Sequence, residues 1–221
     1  MKVHSMSRLA AGMLLLLSGA ALASDYVIDT KGAHAFVQFH IKHLGYSWLT
    51  GRFNTFAGRF SYDEANPGAA KVEVTIDTAS VDSNHAERDK HLRDEDLLDV
   101  KQFPQARFVS TAYRDTGNGR GELSGELTLH GVTRPITIAV SHIGAGFDPW
   151  GGYRRGFEGR TTLTLADFGI LRNLGPASKE VHLWLVHRGH PRRVIHRRQE
   201  EIPPPPQGEG RGEGVFARLR R

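Results

Sequence analysis

Apolar residues fall on every second position again and again in this chain, and that period of two confines it to β-structure. The clearest runs are Lys71-Val72-Glu73-Val74-Thr75-Ile76-Asp77 and Glu122-Leu123-Ser124-Gly125-Glu126-Leu127-Thr128-Leu129. Such alternation belongs to a strand with one face in a core and the other in solvent. The same period returns at Ala35, Val37, Phe39 and Ile41, at Ile136, Ile138 and Val140, at Phe157, Gly159, Thr161, Leu163 and Leu165, and at Val181, Leu183 and Leu185. Two further stretches, Phe53 to Tyr62 and Gln105 to Arg114, are rich in aromatic and β-branched residues and read as strands of less regular phase.

Turn-forming residues stand between these runs: Asn66-Pro67-Gly68, Gly117-Asn118-Gly119, His130-Gly131 and Asp148-Pro149-Trp150-Gly151-Gly152. Short turns of this chemistry make neighbouring strands pair antiparallel. One segment breaks the pattern. Asn84 can cap a helix, and residues 85–93 contain good helix formers, so a short helical excursion is expected near residues 84–99. Seven or eight antiparallel strands make a sandwich or an up-and-down barrel, and consecutive hairpins with short turns favour the barrel, so the fold class expected is all-β, an eight-stranded antiparallel barrel interrupted once by helix. A barrel of that size either packs solid or encloses one small ligand, and small inward residues such as Ala35, Ala57, Gly125 and Gly159 suit both.

The two ends of the chain differ from its middle. Lys2 and Arg8 precede an apolar stretch from Leu9 to Ala23 that closes on Ala21-Leu22-Ala23, which reads as a cleavable signal peptide over residues 1–23 and places the mature protein in the periplasm. Residues 24–186 carry 18 basic and 20 acidic residues and form one domain, whereas residues 187–221 carry nine basic and four acidic ones. The net charge of +5 thus belongs to the ends, and a nearly neutral domain has no electrostatic footprint for nucleic acid. Residues 187–221, with four prolines at 203–206, read as a disordered basic tail. Such a tail would arise from a reading frame lost near Leu185 or Val186, shortening the last strand and leaving an unpaired edge, or would serve to bind anionic lipid or polysaccharide. The chain has no cysteine, so it forms no disulfide and offers no thiolate.

Catalytic chemistry is thinly represented. His85, Asp89 and His91 come nearest to a polar constellation, but His91 lies six residues from His85 and off its helical face, and no metal site is expected. Glu87, Arg88 and Lys90 beside them read as a solvated face with local ion pairs. The other histidines, His34, His40, His43, His130 and His142, read as surface or turn residues, and no nucleophile elbow or phosphate loop is present. Aromatics are concentrated instead: Phe36, Phe39, Tyr46, Trp48, Phe53, Phe56 and Phe60 lie within 25 residues. They pack as core and girdle or line an apolar cavity with residues 42–52 on its rim.

Several separate motifs, in order, resemble the YceI-like family of bacterial periplasmic proteins. They are Ala35-Phe36, Ile41-Lys42-His43-Leu44-Gly45-Tyr46-Ser47 with Gly51-Arg52-Phe53, and Asn84-His85-Ala86-Glu87-Arg88-Asp89-Lys90-His91-Leu92-Arg93. Leu127 to Pro135, Asp167-Phe168-Gly169-Ile170 and Gly175-Pro176-Ala177-Ser178 follow. The resemblance implies a lipocalin-like barrel whose apolar tunnel takes a polyisoprenoid chain, as an isoprenoid quinone or polyprenyl phosphate, with a role linked to stress in some members. It implies no established catalysis and no cofactor. The apolar lining and rim candidates are Val37, Phe39, Ile41, Tyr46, Trp48, Phe53, Phe56, Leu127, Leu129 and Phe168, and the polar candidates are His85, Arg88, Asp89 and His91. Expected partners are an isoprenoid lipid or other long apolar ligand and, transiently, a membrane surface, with a homodimer left open. The competing functions are an enzyme on a lipid or other apolar substrate working through the His85, Asp89 and His91 region, and a stress-induced structural module without ligand.

Overall fold

The computed structural model describes residues 24–32 and 34–191. The expected signal segment and the stretch after Pro191 lie outside the described residues. Within them the order is β1 (Ser24–Ile28), β2 (Phe36–His43), β3 (Ser47–Phe53), β4 (Phe56–Tyr62), β5 (Lys71–Asp77), β6 (Val81–Asp82), α1 (Ala86–Leu92), β7 (Gln105–Gly117), β8 (Arg120–Leu129), β9 (Val132–Phe147), β10 (Tyr153–Thr164) and β11 (Glu180–Pro191).

Every pairing is antiparallel, and the sheet closes on itself through β1 and β11. Eleven strands occupy eight positions because the first three positions are broken in two. β1 and β2 both lie along β11, with Ile28 opposite Gly189 and Phe36 opposite Val186. β3 and β4 lie along β2 and β1 in turn, and β6 and β5 along β3 and β4. The irregular phase of Phe53 to Tyr62 is thus a real break at Asn54 and Thr55. That of Gln105 to Arg114 is a bulge between Ser110 and Ala112. Hairpin turns at Asn118-Gly119 and His130-Gly131 hold both residues at positive φ, which matches the twist of the strands they join.

The helical excursion is real, but its cap is not Asn84. Asn84 turns left-handed at φ 63° with its amide bonded to Asp82, and His85 Nδ1 accepts the Arg88 amide at 3.2 Å. The helix and the loop behind it fold over one end of the barrel, held by Arg93, which donates to the carbonyls of Ala79 and Val81 at 2.8 and 2.6 Å. Leu97 is buried there. Of the four small residues expected inside, Ala35, Gly125 and Gly159 are buried, whereas Ala57 is exposed because Phe56, Gly58 and Phe60 take the inward phase of β4.

The last strand runs past residue 186 and is paired on both edges. β11 continues to Pro191: Gly189 faces Arg155 on one side and Ile28 on the other, and His190 and Pro191 pair with Val27 and Tyr26. A Cβ at Gly189 would lie 2.5 Å from Phe60 Cε1 and 2.9 Å from Tyr26 Cβ. Gly189→Ala should therefore cost about 1–3 kcal/mol of stability through overpacking. Chemical denaturation checks this, and a neutral substitution would mean that β11 stops short of the barrel wall.

Candidate functional site

Inward phase is shared by all strands, so their apolar faces meet in the barrel interior, which is hollow. One chamber of about 110 Å³ lies toward β1 and the C-terminal end of β11, lined by Phe60, Val72, Phe108, Ile138, Phe157 and Leu185 among others. A second, of about 350 Å³, lies under the α1 excursion, lined by Phe39, Ile41, Phe53, Leu98, Leu129 and Leu165 among others. Val37, Ile76, Leu127 and Leu183 border both. These four come from β2, β5, β8 and β11 and stand between the two apolar chambers. On β11 alone the lining runs from Val181 to His187, about 20 Å along the strand.

The two ends are built differently. Near the lower end stands Arg155, only 5% exposed, which bonds Glu64, Tyr26 Oη at 3.3 Å and Tyr153 Oη at 3.2 Å. Its guanidinium lies 5.0 Å from the Tyr62 ring centre, and Tyr26 stacks on Phe60 at 4.7 Å. Burial opposes the charge of Arg155, but the bonds to Glu64 and Tyr26 outweigh it and raise its pKa. His142 Nε2 lies 3.4 Å from Arg155 Nη1, and the ring packs against Tyr62 and Phe157. Burial, and then the neighbouring guanidinium, hold its pKa below the usual histidine range. His142 is therefore half-buried in the cluster around Arg155 and not a free surface residue. His187 borders the lower chamber; its Nδ1 is buried with no partner, and burial pushes its pKa down to about 4.

The upper end is polar at its edge, where His43, Arg88, His91 and Ser178 join the lining. Seryl and carboxylate groups fix the excursion from inside. Asp89 is buried and accepts from both the amide and the hydroxyl of Ser83, while Arg88 donates to Ser83 Oγ and the Ser83 carbonyl at 2.7 and 2.6 Å. Arg88 thus bonds Ser83 in place of the expected local ion pairs. His91 lies 3.5 Å from Asp96, which also pairs with Arg172. His85, Asp89 and His91 serve as cap, buried anchor and rim, three separate tasks. Among the described residues no three His, Asp or Glu side chains are placed to share a metal ion.

The residues expected to line the cavity divide. Val37 and Leu127 stand at the waist, and Phe39, Ile41, Phe53, Leu129, Arg88 and His91 line the upper chamber. Tyr46 and Trp48 do not line it, being 90% and 54% exposed. Trp48 pairs with Lys42 on the outer face of β3, edge-on to His182 at 5.3 Å. Phe56 packs in the lower core beside Tyr26 and Ile28 without bordering the cavity, and Phe168 is buried in the upper core at 2% exposure. Ile76 and Leu183 at the waist and His187 and Arg155 below were not singled out. The first two were visible in the alternation of their strands; His187 and Arg155 continue the inward phase of Leu185 and Phe157, but as polar residues they carry no apolar signal.

A YceI-like domain model matches residues 26–186. A UPF0312 protein of Pseudomonas aeruginosa (strain LESB58) is 57% identical over 185 residues, covering 84% of this chain and 96% of the relative. The chain belongs to the YceI-like family. A UPF0312 protein of Shewanella denitrificans is also 57% identical, over 86% of this chain and 98% of its own length. Among solved structures, a Campylobacter jejuni YceI protein superposes with a TM-score of 0.62 at 27% identity, covering 69% of this chain and 90% of that one. Burkholderia cenocepacia BcnA reaches 0.65 at 23% identity, with 73% and 98% covered. A polyisoprenoid binding domain from Saccharophagus degradans, implicated in plant cell wall breakdown, reaches 0.55 at 18%, with 77% and 100% covered. These likenesses place the chain in the YceI-like barrel fold.

His187 gives this YceI-like barrel an acid-sensitive floor. Its pKa is about 4 in the folded protein against 6.5 as the ordinary value, so on acidification the unfolded chain takes up a proton that the folded one refuses. Stability tied to this group is intact above pH 6.5 and falls as pH drops from there toward 4. His187→Leu should abolish that loss, about 2 kcal/mol between pH 7 and pH 5. Urea unfolding of both proteins at the two pH values measures it, and equal slopes would show that His187 is not buried as described.

Proposed function

We propose that this YceI-like protein binds and carries an isoprenoid lipid in the periplasm, its chain threaded through the barrel. The observation that carries this reading is the pair of apolar chambers inside the barrel, both bordered by Val37, Ile76, Leu127 and Leu183. A branched flexible chain suits a channel with a constriction better than a rigid ring system does. The Saccharophagus degradans relative by fold, described as polyisoprenoid binding, supports the same class. The apolar stretch ending at Ala21-Leu22-Ala23 supports export.

Energetics favour a carrier. One isoprene unit removed from water contributes about 3–4 kcal/mol, at about 0.8 per methylene-sized group. Several units would approach the practical ceiling of about 20 kcal/mol for noncovalent affinity if water were the competitor. The real competitor is a bilayer, where the chain is already dry, so transfer sits near balance and is reversible. Loading then requires the mouth to meet a membrane. Exposed Leu44, Tyr46 and Trp48 follow directly on the mouth residues Lys42 and His43, and exposed Leu171 follows Ile170. Amphipathic aromatics beside leucines suit the interfacial zone of a bilayer.

A waist substitution tests the reading. Leu127→Trp should close the passage between chambers and lower uptake of a long polyprenyl lipid from vesicles by at least about tenfold, which is 1.4 kcal/mol. Native mass spectrometry counts bound lipid on the folded variant and the parent protein. Parent protein that takes up no isoprenoid lipid of any kind would overturn the proposal, as would undiminished uptake by the variant.

A further inference from the structure

The lower rim of the barrel carries an apolar tip that lines neither chamber. β9 spans 16 residues, and its last five run past the neighbouring wall. β8 leaves it at Ser141, whose partner is Arg120, and the final bond between them runs from the His142 amide to the Gly119 carbonyl. Residues 143–147 therefore pair with β10 alone, and their outer edge has no strand beside it among the described residues. Ile143 is 61% exposed, Phe147 81%, and Trp150, in the turn to β10, 87%. A Cβ at Gly144 or Gly146 would meet nothing within 4 Å, so nothing among the described residues covers the strand between Ile143 and Phe147.

The tip is held in one pose. Asp148 Oδ1 accepts the amides of Trp150 and Gly152 at 3.0 and 2.8 Å, and Oδ2 accepts Arg154 Nε at 2.8 Å. Gly151 closes the turn at φ 80°. Phe147 lies edge-on to Tyr153 at 5.3 Å, and the Tyr153 hydroxyl accepts from the buried Arg155. The Asp148 carboxylate is thus satisfied within the hairpin, and its side chain is only 12% exposed. An ordered turn that displays two nearly naked aromatic rings has already lost much of its conformational freedom, so covering those rings costs little further entropy.

Charge decides what covers them. On the folded rim, exposed Lys71 and Arg120 are offset by exposed Asp25 and Asp115. The chain leaves the described residues at this same end, where Gly189 pairs with Arg155 and Pro191 with Tyr26. The next seven residues in sequence, 192–198, hold four arginines, a histidine and no carboxylate, with Val194 and Ile195 among them. Aromatic rings at a rim beside a basic segment suit the interfacial zone of a bilayer with anionic headgroups, where the rings seat at headgroup level and each arginine adds attraction. A second copy pairing along the free edge of residues 143–147 would bring the same four arginines against these, and like charges oppose that contact.

We infer that the lower rim docks on an anionic phospholipid bilayer, with Phe147 and Trp150 entering the interface and residues 192–198 supplying the charge. The inference does not depend on what the chambers hold. It gives the protein a second membrane-facing end, opposite Trp48, so a barrel docked this way turns its mouth away from that bilayer.

The test mixes the full chain with vesicles of phosphatidylcholine alone or of equal parts phosphatidylcholine and phosphatidylglycerol. Cosedimentation gives the affinity, and acyl-brominated lipid reports tryptophan insertion by fluorescence quenching. Binding about tenfold tighter to the anionic vesicles, and weakened by added salt, is expected. Most of the quenching should be lost in Trp150→Phe and kept in Trp48→Phe, which separates this end from the mouth. Phe147→Ser combined with Trp150→Ser should lower the affinity at least about tenfold while leaving thermal unfolding unchanged, because both side chains are exposed. Equal affinity for both kinds of vesicle, quenching retained in Trp150→Phe, or a double variant that binds like the parent would each overturn the inference. So would absence of vesicle binding, including the case in which sedimentation shows a dimer that the double variant abolishes, which would assign the free edge to a second copy.

Discussion

Everything in this molecule depends on the clasp of β11 by three other strands. β10 runs along one edge, while β2 and β1 share the other, and the last of these pairings turns an open sheet into a ring. An open antiparallel sheet buries an apolar face only by packing it on something else, and its edges remain free to pair with other chains. A closed one needs neither, because each strand's hydrogen-bonding groups are met by neighbours on both sides. That is why the interior can stay hollow. The wall is held by backbone pairing, and the core residues divide into an upper cluster around Phe39, Leu127 and Val181 and a lower one around Tyr26 and Phe60, with the channel between and beside them.

Hollowness has a consequence at each end. Below, Arg155 is buried with its charge met by Glu64 and its edges by tyrosine hydroxyls and His142. Removing one partner from such a set leaves a buried charge, so the set persists or fails together. Above, Arg88 is also partly buried, but it is tied to Ser83 without a carboxylate of its own. The two arginines show the same side chain in opposite states, one saturated within the fold and one with a donor to spare.

Much of the barrel was legible in the sequence because strand alternation reports the inward face directly. The phases at Val37 to Ile41, Leu123 to Leu129 and Val181 to Leu185 all hold in the structure, and the waist lies on them. Legibility fails where the period is interrupted. Trp48 and Phe56 sit on either side of the break at Asn54 and Thr55, and an aromatic-rich stretch gives no clue to which rings turn out. Phe168 follows β10 in a turn, where no period exists. The helical cap moved by one residue because an imidazole nitrogen at His85 accepts as well as an amide oxygen, while Asn84 turns left-handed and its backbone N–H bonds Asp82. Residues 187–191 were misread for a different reason. Their composition is that of a basic tail, yet pairing with β1 and β10 requires only backbone, and His187 and Gly189 happen to fit the space beneath the channel.

The central claim is that the two chambers form one channel for one flexible chain. A crystal structure of the protein with a long polyprenyl lipid bound tests it most directly. The account predicts unbroken chain density passing the ring of Val37, Ile76, Leu127 and Leu183 and occupying both chambers. Density confined to one side of that ring, or lying on the outer surface with the interior unfilled, would contradict it.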